Sequence, residues 1–137
     1  MIEIILAFIG SLCPGILYNV EKRNLIWVGF SGMLGWIIYS RVYGFTGGLV
    51  FSTFIGSVAV GLYSESCARI RKAPATIFSI PGIFPLVPGI AFYNTLQHIT
   101  GNRLSQAASM GIEAITSAAA IAFGMLLISA VFRIFKR

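Results

Sequence analysis

Ile80-Pro81-Gly82-Ile83-Phe84-Pro85-Leu86-Val87-Pro88-Gly89 is the stretch that decides the fold. Three prolines within eight residues forbid an ordinary helix, because each lacks a backbone N–H and clashes with the carbonyl four residues earlier. The carbonyls freed are those of Ile77, Pro81 and Phe84. In a straight helix the three prolines would lie within about 60° of one face, so the freed acceptors would line one side. Unpaired backbone in hydrocarbon costs several kcal/mol and survives only against protein or a wet cavity. In an apolar setting the stretch therefore predicts a discontinuous helix near mid-membrane. A second half-helix can start after Gly89 and run through Tyr93 to Gln97, with its free N–H groups and positive dipole end at the break. Secondary transporters hold substrate carboxylates in this way. The substrate-path candidates are Pro81, Gly82, Pro85, Pro88, Gly89, Tyr93 and Asn94.

The surroundings are apolar. Of 137 residues, 57 % are hydrophobic and 10 % charged, Asp is absent, and the mean hydropathy is +0.88. A soluble domain carries about 25 % charged residues. So few charges cannot coat a soluble surface, and disorder needs the opposite composition. Uncharged runs cover Ile4–Val20, Asn24–Ser40, Val42–Ser64, Ala73–Asn102 and Ala114–Phe132. Each reaches about 17 residues or more, enough for a membrane helix, and none alternates as a barrel strand would. The expectation is an all-α integral membrane bundle in a single domain, 1–137. It has about five transmembrane helices, near 2–20, 25–43, 45–63, 75–97 and 105–132, the fourth broken by Pro and Gly. The first run has Glu3 and no basic region before it, so it reads as a retained helix rather than a cleaved signal peptide.

Charge sets the orientation. Five crossings put Lys22, Arg23, Arg69, Arg71, Lys72, Arg133, Lys136 and Arg137 on one side, and Arg41 and Arg103 on the other. The rich side is cytoplasmic, which places the N-terminus outside and the C-terminus inside. If 73–102 dipped in and returned, the split would fall to six against four. Trp27, Tyr39, Tyr43 and Tyr63 lie near span ends, where amphipathic rings settle. Glu65 and Arg69, four apart, are expected to pair. Cys13-Pro14-Gly15 predicts a milder break in the first span, freeing the carbonyl of Gly10. Gly29, Gly32 and Gly35, Ser57 with Gly61, Ala118 with Ala122, and Ala120 with Gly124 permit close helix approach, either within the chain or onto a second subunit.

Glu113 interrupts an otherwise uncharged helix about 8 Å from its midpoint, and a carboxylate at that depth is a functional candidate. It is expected either to pair with Arg41 or to titrate as a proton-coupling group. His98, the single histidine, reads as a surface residue and Ser117 as a packing hydroxyl. Cys13 and Cys67 read as small packing residues. The net charge of +6 reflects topology rather than nucleic-acid binding. No P-loop, Gly-x-Ser-x-Gly element or metal-ligand cluster occurs. No enzyme activity, metal or cofactor is expected, and any transport must draw on a gradient or a partner.

The block from Pro81 to Tyr93 resembles the proline-rich signature of the bacterial threonine/serine exporter family. Tyr18-Asn19-Val20 before a basic turn and Ser40-Arg41 at the close of the second span are also similar to that family. The resemblance covers nearly the whole chain and is to the small subunit of the split, two-protein form. It implies a multi-pass plasma-membrane protein working with a larger subunit as a hetero-oligomer. The cargo implied is a small carboxylate-bearing metabolite, either threonine and serine or a dicarboxylate such as succinate. The alternative is a scaffold that stabilises the larger subunit without transporting.

Overall fold

The computed structural model describes residues 2–135; Lys136 and Arg137, counted above on the cytoplasmic side, lie outside the described residues. Six α-helices follow one another: α1 (Ile2–Leu17), α2 (Lys22–Thr46), α3 (Leu49–Arg71), α4 (Thr76–Ile83), α5 (Gly89–Thr100) and α6 (Leu104–Ile134). A 3₁₀ turn, Phe84–Leu86, continues α4. There is no strand among the described residues. The fold is an all-α membrane bundle.

Helices α2, α3 and α6 are each long and apolar enough to cross a membrane. The segments Thr76–Leu86 and Gly89–Thr100 together make a fourth candidate, bent by 50°. Helix α1 is apolar but has 16 residues, about 24 Å at 1.5 Å per residue, short of the usual hydrocarbon thickness. Length and composition thus give three crossings, or four with the bent pair.

Helix α3 packs between α2 and α6, α1 packs on α2, and α5 rests on α6. Small polar residues share the interior with apolar ones such as Val28, Val60 and Phe78. Ser11, Ser31, Ser52, Ser57, Ser64 and Ser117 are buried, whereas Leu17, Phe45 and Ile90 are exposed. This reverses the soluble pattern, as expected where lipid replaces water and backbones gain by close approach. Several of the serines satisfy themselves locally: Ser11 donates to the Ala7 carbonyl (3.0 Å) and Ser52 to that of Gly48 (2.7 Å). Five glycines, Gly29, Gly32, Gly35, Gly82 and Gly124, have no room for a Cβ. At Gly32 it would strike Ser11, and at Gly82 it would strike Ser31. The glycine stripe of α2 is therefore spent inside the chain: Gly29 and Gly32 face α1, and Gly35 faces Val60 of α3. Ser57 and Gly61 likewise face Gly124 and Ile128 of α6.

Contacts gather the basic groups at one end. Arg71 donates to the Asn24 side chain (3.0 Å) and to the Arg23 carbonyl (3.2 Å). The Arg69 guanidinium lies 4.6 Å from the Phe132 ring centroid. The ends of α2, α3 and α6 that carry these residues are thus neighbours.

Two local expectations are corrected. Helix α1 runs unbroken through Pro14 to Leu17. Pro14 lies close to the helix end, and its own carbonyl still accepts from Tyr18 (2.9 Å), so the final turn survives. Glu65 and Arg69 form no ion pair; Arg69 takes the Phe132 face instead.

Candidate functional site

The prolines do not act alike. Pro81 lies inside α4, Pro85 lies in the 3₁₀ turn, and Pro88 caps α5. Tightening into 3₁₀ geometry lets the Phe84 N–H reach the Pro81 carbonyl and the Val87 N–H reach that of Phe84 (3.2 Å). Two of the three acceptors expected to be free are therefore paired. The chain then becomes extended at Val87 (φ −61°, ψ 129°) and restarts as α5. What the break leaves open is donors. The Ile90 and Ala91 N–H groups, in the first turn of α5, have no backbone acceptor among the described residues. They carry the positive end of the helix dipole.

This restart opens onto a cavity of about 500 Å³. One wall is 85–91 together with Asn94, one turn along α5. Trp36 and Tyr39 of α2 and Thr53 of α3 form a second wall, and Met110 and Glu113 of α6 a third. Trp36 and Tyr39 lie against each other in a tilted contact, 5.2 Å between ring centroids, which fixes the aromatic wall. The Trp36 indole N–H is buried and has no acceptor among the described residues. The Thr53 hydroxyl donates to the Leu49 carbonyl (2.7 Å), leaving its oxygen to accept. Glu113 is exposed at the mouth.

Of the sequence candidates, Pro85, Pro88, Gly89, Asn94 and Glu113 lie on the cavity wall. Pro81 and Gly82 are buried behind it, with Gly82 against Ser31 and Val60. Tyr93 is 66 % exposed and lies off the wall. Arg41 is exposed, off the wall, and forms no ion pair with Glu113. Sequence reasoning missed Trp36 and Thr53 and read Tyr39 only as an interface anchor. A signal existed for Trp36. It lies ten residues inside the C-terminal end of α2, about 15 Å along the helix and beyond the usual aromatic belt.

The cavity sets donors against one carboxylate. The unpaired α5 N–H groups and the Asn94 amide suit an anionic group. Glu113 on α6 suits a cation or a proton. The volume falls in the range of small-molecule sites, about 300–1,000 Å³. No solved structure matches this chain. A family model described as "Threonine/Serine exporter, ThrE" matches residues 3–131. Nearly the whole chain is covered, broken crossing included, and the protein belongs to the threonine/serine exporter family.

Proposed function

We propose that this chain is the small subunit of a two-component secondary exporter in the bacterial inner membrane, and that the cavity at the bend is a station for its solute. The observation that carries this reading is the pairing of unsatisfied α5 N–H groups with Glu113 across one cavity. A solute with a carboxylate and an ammonium group meets both partners at once. A threonine- or serine-type amino acid fits this arrangement, and its hydroxyl has Asn94 and Thr53 within the same walls. A dicarboxylate would bring a second negative charge towards Glu113, so it requires that Glu113 be protonated.

In this reading α1 and the bent pair both cross, giving five spans with the N-terminus outside and the basic end cytoplasmic. Glu113 either carries the coupling proton or holds the ammonium. Pro81 and Gly82 act by seating α4, and Pro85, Pro88 and Gly89 by turning the backbone. A larger subunit of the same family completes the path, since the cavity is open on one side and five crossings enclose little volume.

The test is reconstitution of both subunits, and of each alone, into vesicles with labelled threonine, serine and succinate. Transport by the pair and by neither subunit alone is expected. Full transport by the larger subunit alone would leave this chain a scaffold.

A further inference from the structure

The basic end of the bundle carries a second recess, of about 430 Å³. Arg69 and Lys72 line it from the end of α3, Arg133 from the end of α6, and among the described residues Glu65 is the one carboxylate on its wall. Three cations thus face a single acid. Stacking on Phe132 engages the face of the Arg69 guanidinium, and its in-plane N–H donors stay available. The floor is the linker into α4, where the Ala75 N–H has no backbone acceptor among the described residues. Cations and a backbone donor from three segments therefore converge on one concavity.

Topology alone does not require this arrangement. Lys22 and Arg23 lie at the same end without lining the recess, and dispersed cations orient a protein equally well. The surroundings indicate what fills it. Ile134 and Phe135 follow Arg133 directly and are 74 % and 81 % exposed. Apolar side chains flanking a basic recess at the end of a membrane helix match a molecule with an anionic head and apolar tails. Basic pockets between helices at the cytoplasmic face bind lipid head groups by this chemistry.

We infer that Arg69, Lys72 and Arg133 form a binding site for the phosphodiester of an anionic phospholipid. Glu65 at its edge accepts from headgroup hydroxyls. The inference rests on the membrane setting and not on what the cavity at the bend carries.

The full chain is placed in nanodiscs of mixed phosphatidylglycerol and phosphatidylcholine, and the lipid retained on the protein is counted by native mass spectrometry. A preference for phosphatidylglycerol is expected, and it falls about fivefold for each cation neutralised. The variant R69Q/K72Q/R133Q loses the preference, whereas K22Q/R23Q keeps it. Lys72→Gln alone, at an exposed position, repeats the fivefold loss if the triple variant does not fold. Equal losses in both multiple variants would overturn the site in favour of general surface charge. Removal of the lipid by sodium phosphate, but not by sodium chloride of equal ionic strength, would overturn the lipid as occupant in favour of a free anion.

Discussion

The two halves of the bent segment differ sharply although one proline block joins them. In α4, Phe78, Ser79, Pro81 and Gly82 are buried, half of its eight residues. In α5 none of twelve is buried. Helix α4 is wedged against α2 and α3, whereas α5 rests on α6. The block thus joins a seated half to a half that is free along most of its surface. Such asymmetry suits a station whose donors must be presented and withdrawn, because the half with few buried contacts is the one that can move at low cost.

The largest effect should come from disturbing the seat of α4. Gly82→Val pushes two methyl groups into Ser31, and overpacking of this kind costs about 3 kcal/mol. Thermal unfolding in detergent should show a large loss of folded protein. Second in size is the wall opposite α5. In the reconstituted pair, Glu113→Gln should lower export about tenfold and flatten its pH dependence, as expected when a positioned proton carrier is lost. Unchanged rate and pH profile would remove Glu113 from the mechanism. Asn94→Ala should raise KM for threonine about fivefold, the value of one hydrogen bond, with no change in thermal stability. At the small end, Ile90→Ala removes an exposed side chain at the start of α5. Its effect on stability should stay within about 0.5 kcal/mol. A loss as large as that of Gly82→Val would erase the distinction between the halves.

How far the sequence carried this reading follows from which features act locally. A run of prolines changes the backbone wherever it stands, so the break was legible residue by residue. Glu113 was legible because no other charged residue lies between Leu104 and Phe132. The state of the freed carbonyls was not, because 3₁₀ tightening at Phe84 and Val87 depends on how the chain leaves α4. Pro14 misled because a proline this near a helix end disturbs little that the helix still needs. Trp36 and Thr53 became wall residues only through the pairing of α2 with α3, which spacing along one helix does not encode. Arg69 followed the same rule: a carboxylate one turn away lost to a ring on another helix.

The helices differ widely in length. Helix α6, with 31 residues, is about 46 Å tall, nearly twice the height of α1. Lipid on one flank meets a tall wall and on the other a low one, so the surrounding leaflet must slope or α6 must lean. Bilayer thickness becomes a setting of the protein: thin membranes would tip α6 and carry Glu113 with it, and thick ones would stand it upright.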